Sequence, residues 1–302
     1  MTRRILIGVD SSDGASAVVE HALWLAKRLR LTPLIAHVTD DAPILPHAGV
    51  AQRERARQSI SRRSEQVLSR LDDRVAHSER KVLFGDPVDA LEEFAEEIDA
   101  ALVVVGSRGR GPVKSALLGS VSRALATRSS RPVLVVPPAA GRGRRAGGQA
   151  ERAIICGVDG SEHGDRAVKA AAALARAGDL RLVVMHAEGL PASPVPLRTA
   201  GVAAPINYHD DLVERLRSES LRILERAEHL AGNGGLEVVV HLEVGAASGL
   251  LASAAEEEDA AFIVVGSRGR GALRSAVLGS TSAQLVGVSS RPVLFVGPAA
   301  RV

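Results

Sequence analysis

Aromatic residues and cysteine are scarce in this sequence. Phe, Trp and Tyr together make up 2% of the 302 residues, so the core has to consist of Val, Leu, Ile and Ala, a composition suited to parallel sheets covered by Ala-rich helices. The scarcity also argues against binding of single-stranded nucleic acid, which uses aromatic stacking platforms. Cys156 is the only cysteine. An intrachain disulfide is therefore excluded, and the apolar neighbours of Cys156 predict a buried, inert thiol.

Long apolar runs and a dominant charge of one sign are also missing. No segment approaches the roughly 18 apolar residues of a membrane span, and the N-terminus, MTRRILIGVD, has no apolar signal segment. We therefore expect a cytoplasmic protein with no membrane partner. The 38 basic residues nearly balance the 35 acidic ones, so nucleic acid is not an expected partner.

An internal repeat divides the sequence. The segment VVVGSRGRG, within residues 103–136, returns as IVVGSRGRG within residues 263–296, at an offset of 160 residues. Near the start of each half, ILIGVDSSDGA returns as IICGVDGSEHG at an offset of 149 residues. The 11 extra residues of the second half fall most naturally in the Pro- and Ala-rich stretch GLPASPVPLRTAGVAAP. Such a repeat predicts two copies of one domain.

A stretch rich in Gly, Pro and Arg separates the two copies. It shows no apolar periodicity and is typical of a linker. We therefore predict a first domain at residues 1–138, a linker at 139–151 and a second domain at 152–302.

Short apolar runs alternate with helical patterns within each half. In the first half we predict strands at residues 4–9, 33–38, 80–84, 101–106 and 132–136, and helices at 15–29, 51–71, 87–98 and 115–128. Continuous apolar strands alternating with helices indicate an α/β fold with a parallel sheet buried on both faces. Ligands of such open sheets bind beyond the carboxyl ends of the strands.

A glycine- and serine-containing motif follows the fourth predicted strand of each half. Its spacing is G-x-x-G-x9-G-S. The motif residues are Gly106, Gly109, Gly119 and Ser120 in the first half and Gly266, Gly269, Gly279 and Ser280 in the second. Glycine permits close backbone approach, and a helix start offers oriented N–H groups to an anion. Because the whole spacing occurs twice in the same context, we interpret it as a phosphate-binding motif rather than as simple tight turns. It is not a P-loop, which requires G-x-x-x-x-G-K-[ST].

A carboxylate follows the first strand of each half. Asp10 and Asp159 could accept hydrogen bonds from a ribose or an adenine edge, or could cap the following helix. The residues alone leave both interpretations open. His37 and His186, at the end of the second strand, are interpreted as packed, hydrogen-bonded histidines rather than as catalytic bases.

Basic residues flank the glycine motif in both halves. Arg108, Arg110 and Lys114 in the first half match Arg268, Arg270 and Arg274 in the second. They can pair with phosphates or remain solvated loop charges, and their repetition slightly favours the first interpretation.

With these motifs in place, the chain resembles the universal stress protein family in its tandem-domain form and in its ATP-binding branch. The resemblance covers nearly all of both halves. It implies two tandem Rossmann-like (adenine nucleotide alpha hydrolase-like) domains, each a five-stranded parallel sheet of order 3-2-1-4-5 with helices on both faces. The resemblance further implies that the last strands of the two halves meet in an intramolecular pseudo-dimer.

The resemblance also implies a ligand and the residues that bind it. ATP, with Mg²⁺ able to arrive on its phosphates, would be the cofactor. Asp10 and Asp159 would reach the adenosine part. Val38 and Ala187 would touch adenine through backbone groups, with looser packing at the smaller Ala187. The glycine and serine residues of the two motifs would line the ribose and phosphates.

Three functions follow from these expectations. The leading one is a non-enzymatic, ATP-binding regulatory protein of the stress response with two ATP sites per chain, acting on a protein partner that the sequence does not name. The alternative is a slow ATPase or nucleotidyl-transferring enzyme that uses the same pocket. The third is a structural module with a vestigial pocket, which intact motifs in both halves disfavour. A homodimer of whole chains stays open.

Overall fold

Within the residues that the structure describes, each half of the chain forms five strands and four α-helices in the same order. A computed structural model describes residues 3–39, 49–69, 71, 79–109, 118–141, 152–189, 207–232, 234–269 and 278–301. The first half contains β1 (Arg4–Val9), α1 (Ala15–Leu29), β2 (Thr32–Thr39), α2 (Val50–Ser69), β3 (Glu79–Phe84), α3 (Pro87–Glu97), β4 (Ala100–Gly106), α4 (Ser120–Arg128) and β5 (Val133–Val136). The second half contains β6 (Ala153–Val158), α5 (Glu162–Gly178), β7 (Arg181–Glu188), α6 (Asn207–Ala231), β8 (Val238–Val244), α7 (Ala247–Glu257), β9 (Ala260–Gly266), α8 (Ser280–Val288) and β10 (Val293–Val296).

All ten strands form one sheet. Their order is β3-β2-β1-β4-β5-β10-β9-β6-β7-β8, and every neighbouring pair is parallel except β5 with β10. Each half therefore has the expected order 3-2-1-4-5. Because β5 and β10 run antiparallel, the carboxyl ends of the strands in one half point opposite to those in the other. The two ligand edges thus lie on opposite margins of the continuous sheet.

Successive side chains along each strand point to opposite faces of the sheet and pack into two hydrophobic cores, each covered by helices. Ile5 and Ile7 of β1 join the core beneath α1, α2, α5 and α6, whereas Leu6 joins the core beneath α3, α4, α7 and α8. The small volume of alanine lets the helices approach the sheet closely. α5 contributes five alanines to the first core: Ala167, Ala170, Ala171, Ala172 and Ala175. A core without many aromatics is thereby filled, as the composition predicts.

The contact between the halves is part of the core. Leu134 of β5 pairs directly with Leu294 of β10, and both side chains are almost completely buried. Arg28 at the end of α1 donates to the carbonyls of Gly178 and Asp179 at the end of α5, the latter at 2.9 Å. Both hydrophobic cores contain residues of the two halves, so the pair of domains packs as an intramolecular pseudo-dimer.

Some predicted element bounds need correction. The helix predicted at residues 115–128 begins at Ser120, because Leu118 and Gly119 are not helical and residues 110–117 lie outside the described residues. The helix predicted at 51–71 ends at Ser69. The remaining predicted strands and helices of the first half agree with the structure to within a residue at either end.

Part of the predicted linker belongs to packed structure. Residues Pro138–Gly141 form a short 3-10 turn, and Ala140 within it is buried in the core. Residues 142–151 and the Pro- and Ala-rich stretch at 190–205 lie outside the described residues, so the domain bounds stay predictions. Within the described ranges, no helix combines the length and apolar character needed to cross a bilayer.

The β5–β10 contact generates a stability prediction. Leu294 is fully buried and faces Leu134, so we expect Leu294→Ala to lower the free energy of unfolding by about 2–5 kcal/mol through lost burial and a residual cavity. The measurement is urea unfolding followed by circular dichroism. Leu221→Ala on the outer face of α6, where the leucine is 47% exposed, is the control and should change the free energy by less than about 0.5 kcal/mol. Equal effects of the two variants would contradict a packed interface.

Candidate functional site

The predicted binding residues of the first half meet at the carboxyl ends of three adjacent strands. β2, β1 and β4 are neighbours, with Val9 in register with His37 and Gly8 in register with Val105. Val38, Asp10 and Gly106 therefore lie side by side along one margin of the sheet. Because β1 has β2 on one side and β4 on the other, this is the switch in strand order where open α/β sheets form a crevice.

The second half repeats this arrangement. Val158 is in register with His186, and Gly157 with Val265. Ala187, Asp159 and Gly266 therefore lie side by side at the ends of β7, β6 and β9. The fold thus supplies two crevices per chain, one on each margin of the ten-stranded sheet.

The aspartate after the first strand stabilises the turn that leaves the sheet. Oδ1 of Asp10 accepts a hydrogen bond from the backbone N–H of Ser12 at 3.0 Å, and Oδ1 of Asp159 accepts one from Ser161 N–H at 3.0 Å. Neither aspartate caps the following helix. Gly14 is the N-cap of α1, and Ser161, whose Oγ accepts from Gly164 N–H at 3.1 Å, is the N-cap of α5. The interpretation of these aspartates as helix caps is therefore wrong.

The second oxygen of each aspartate lies against a glycine of the motif. A Cβ added to Gly109 would stand 2.8 Å from Oδ2 of Asp10, and a Cβ added to Gly269 would stand 2.7 Å from Oδ2 of Asp159. At such distances a Cβ would force the carboxylate to move, so glycine lets the aspartate keep its observed position. The structure thereby brings together an aspartate and a motif glycine that are 99 positions apart in the first half and 110 apart in the second.

Backbone hydrogen bonds close the base of the loop after β4 and after β9. Gly119 N–H donates to the Ser107 carbonyl at 2.8 Å, and Gly279 N–H donates to the Ser267 carbonyl at 3.0 Å. Ser122 Oγ also donates to the Ser107 carbonyl, at 3.2 Å, while Ser282 Oγ donates to the Gly266 carbonyl at 3.0 Å. These bonds fix the third glycine of the motif beside the first.

Sequence reasoning missed four serines of this loop base. Ser107, Ser122, Ser267 and Ser282 are all buried. Both pairs recur at the same offset of 160 residues as the motif glycines. That repetition was the signal available for finding them.

A helix start faces each crevice. α4 begins at Ser120 after the extended N-cap Gly119, α8 begins at Ser280 after Gly279, and neither N-cap makes a side-chain hydrogen bond. The hydroxyl-bearing Ser120 and Ser280 are exposed. The first turn of a helix without a side-chain cap offers backbone donors and the positive end of the helix dipole. The arrangement can therefore receive an anion.

The strand histidines are packed, as predicted. His37 Nδ1 lies 2.8 Å from the Val9 carbonyl, and His186 Nδ1 lies 2.8 Å from the Val158 carbonyl. Each ring ties the end of the second strand to the residue that precedes the aspartate. The histidines thus hold the crevice in register, and Cys156, fully buried with a pKa raised by burial, is inert as expected.

A histidine that sequence reasoning did not single out lies beside the second crevice. His163, the second residue of α5, has a pKa lowered from its ordinary value, first by burial and then by the positive charge of Arg268. Its backbone presses on the end of β9, because a Cβ added to Gly266 would stand 2.9 Å from the carbonyl carbon and oxygen of His163. Of the basic residues predicted around the motif, Arg108 and Arg268 are described, whereas Arg110, Lys114, Arg270 and Arg274 lie outside the described residues.

The fold and the crevices define a class of protein: a tandem pair of open α/β domains, each with an anion-receptive helix start beside a carboxylate. The Universal stress protein family matches the chain twice, over residues 1–137 and 151–297. The chain therefore belongs to the universal stress protein family.

Relatives of both single and double length are similar to this chain. A universal stress protein from Mycolicibacterium smegmatis is 29% identical over 306 residues, covering 97% of this chain and 97% of the relative. The universal stress protein YxiE from Bacillus subtilis is 29% identical over 143 residues, covering 47% of this chain and 97% of the relative. A crystal structure of a universal stress protein from Archaeoglobus fulgidus matches with a TM-score of 0.64 at 23% identity, over 97% of this chain and 98% of that chain. The last likeness supports the tandem fold.

The two halves should respond differently to alanine at the first motif glycine. A Cβ at Gly266 would meet backbone atoms of His163 at 2.9 Å, whereas a Cβ at Gly106 would meet the Arg108 carbonyl and a Val18 methyl at 3.3 Å. We expect Gly266→Ala to lower the free energy of unfolding by about 1–3 kcal/mol through overpacking and Gly106→Ala to lower it less. Urea unfolding of the two variants is the measurement. A larger loss for Gly106→Ala would show that the close contact at Gly266 is wrong.

Proposed function

We propose that the chain binds ATP at two sites, one in each half, and acts as a nucleotide-dependent regulatory protein of the stress response. The observation that carries the proposal is the contact between the aspartate carboxylate and the second motif glycine, present in both halves at 2.8 Å and 2.7 Å from the would-be Cβ. Two such contacts, each beside a helix start without a side-chain cap, support a repeated nucleotide site rather than two tight turns.

Each part of ATP has a chemically matched group in the crevice. Oδ1 of the aspartate is engaged by its own turn, so Oδ2 is the oxygen that a ribose hydroxyl or an adenine amine would approach. Val38 and Ala187 stand one residue beyond the packed histidines on the neighbouring strands, where backbone groups can meet an adenine edge. The phosphates would lie at the starts of α4 and α8, on the backbone N–H groups and the hydroxyls of Ser120 and Ser280.

Binding without dedicated catalysis is the activity that we propose. Nδ1 of His37 and Nδ1 of His186 are each hydrogen-bonded to a strand carbonyl. This bonding suits a structural role better than the activation of water. Within the described ranges, no group of three or more His, Cys, Asp or Glu side chains could hold a metal ion. Mg²⁺ accompanying ATP would therefore be held mainly by phosphate oxygens. Steady phosphate release that scales with protein would favour the slow ATPase instead.

Regulation would exploit the single sheet. Gly106 pairs with Val136 at the end of β5, and Gly266 pairs with Val296 at the end of β10. Since β5 and β10 pair with each other, ordering of one loop by nucleotide acts on a strand bonded to the other half. A partner could thus recognise the nucleotide state of both sites.

Titration calorimetry with ATP, with and without Mg²⁺, tests the proposal. We expect a stoichiometry of two per chain, falling to one with Gly119→Val and to none with Gly119→Val combined with Gly279→Val. The branched side chain at the helix start would occupy the space of the phosphates. Circular dichroism checks that both variants remain folded, since a Cβ at Gly119 would stand 3.2 Å from the Ser107 carbonyl oxygen, whereas a Cβ at Gly279 would meet nothing closer than 3.7 Å.

The exposed-site variant Leu221→Ala serves as the control and should keep two sites. A stoichiometry of one in the unmodified chain would limit the proposal to one half. Absence of heat, together with no competition against a labelled ATP analogue, would overturn it.

A further inference from the structure

The second crevice contains a side chain for which the first has no counterpart. His163 follows Asp159 by four residues, and the residue that follows Asp10 by four is Gly14. Both positions lie at a helix start, Gly14 as the N-cap of α1 and His163 as the second residue of α5. An imidazole is therefore present at one of two otherwise repeated sites.

Close packing places the backbone and Cβ of His163 beside the first glycine of the second motif. The Cβ, carbonyl carbon and carbonyl oxygen of His163 all approach within 2.9 Å of the position of a Cβ on Gly266. Gly266 opens the loop that carries Ser267, Arg268 and Gly269. The start of α5 and this loop are thus in direct contact, and His163 lies at the junction.

Within the described part of the chain, three buried polar atoms of this junction have no hydrogen-bond partner. They are Nε2 of His163, Oγ of Ser267 and Nε of Arg268. A buried polar atom without a partner costs about 1–3 kcal/mol, and such atoms call for an explanation by an additional ligand or by strain. All three can donate a hydrogen bond. All three belong to residues at the contact between the start of α5 and the loop after β9, so an acceptor-rich group bound at this contact would satisfy them.

The charges around His163 have the sign that an anion requires. Arg268 and Arg166 lower its pKa, and this effect together with burial exceeds the opposing effects of Asp159 and Glu162. A phosphate oxygen would accept hydrogen bonds from the imidazole of His163 and the guanidinium of Arg268. Its negative charge would offset the positive charges of Arg268 and Arg166.

We propose that His163 contacts the bound nucleotide of the second half directly, donating a hydrogen bond from Nε2 to its phosphate chain, and that this contact makes the two sites unequal. The inference rests on the proposed ATP binding and specifies how the second site differs from the first. Compared with the first site, the second would have less apolar contact with adenine, because Ala187 stands at the position of Val38. It would have an additional polar contact with the phosphates through His163.

The contact would make ATP binding at the second site depend on pH. Burial and Arg268 hold the pKa of free His163 below its ordinary value, and a phosphate nearby raises the pKa in the complex. A group whose pKa rises on binding takes up a proton, so binding tightens as the pH falls through the complex pKa towards the free one. The facing groups are Arg268, Arg166, Asp159 and Glu162.

The test uses the full chain with the first site closed by Gly119→Val, so that only the second site binds ATP. In this background, His163→Ala should weaken ATP binding about tenfold, the effect of a lost hydrogen bond to a charged group of about 1.4 kcal/mol. His163→Gln should retain most of the affinity, because its amide nitrogen reaches the position of Nε2. Adenosine, which has no phosphate, should bind the unmodified site and the His163→Ala site equally.

The matched control is Gly14→Ala in the first half, with the second site closed by Gly279→Val. A Cβ at Gly14 would meet nothing closer than Ser12 Oγ at 3.7 Å, so ATP affinity should stay within about twofold. The ratio of ATP affinities between the His163 chain and its His163→Gln variant should rise as the pH is lowered from 8 to about 5.5. This ratio cancels the titration of ATP itself.

Each outcome decides the inference. Unchanged ATP affinity in His163→Ala overturns it and leaves the proposed ATP binding intact. An equal loss of ATP and adenosine affinity also overturns it, since His163 would then act through packing. Absence of ATP binding in the Gly119→Val background, with the protein folded by circular dichroism, overturns the second ATP site together with the role of His163.

Discussion

The close approach of an aspartate carboxylate to a glycine is the contact on which each crevice depends. Asp10 directly follows β1, and its Oδ1 accepts a hydrogen bond from the backbone N–H of Ser12. Its Oδ2 then lies 2.8 Å from the position that a Cβ on Gly109 would take. A Cβ on Gly109 would therefore displace the carboxylate from this position. The loop base, closed by Gly119 and Ser107, then sets the start of α4 beside the carboxylate. This contact thus links the turn after β1 to the loop after β4.

The antiparallel β5–β10 pair determines how the two crevices relate. A parallel junction would have put both carboxyl-end margins on the same side of the sheet. The antiparallel junction places them on opposite sides, and it connects them through strands whose ends carry the loops of the glycine motif. Shared cores make the junction stiff. The tandem arrangement therefore provides two separated crevices, and the strands next to them in the sheet, β5 and β10, pair with each other.

The two halves share the hydrogen bonds that support the crevices but differ in some of the side chains around them. The histidine-to-carbonyl bond has the same length of 2.8 Å in both halves, and the aspartate turn has the same 3.0 Å bond. The side chains around the frame differ, with Gly14 replaced by His163 and Val38 by Ala187. A frame of backbone bonds tolerates such replacements because the ligand-facing side chains do not hold the loops together.

The sequence by itself determined the elements, the strand order through its family resemblance and the residues of the two motifs, because apolar periodicity and glycine spacing are local properties of the chain. Only the tertiary structure decided what those residues do to one another. The contacts of Asp10 with Gly109 and of His163 with Gly266 join segments about 100 residues apart in the chain. The hydrogen bonds of the loop base join residues 12 to 16 positions apart, and they too depend on how the loop folds back on itself. The start of α4 at Ser120 rather than at residue 115 also depends on a contact outside the helix, since Gly119 donates its N–H to the carbonyl of Ser107, 12 residues earlier. The spacing of residues in the sequence shows which motifs are repeated, whereas the packing of the folded sheet determines which residues are in contact.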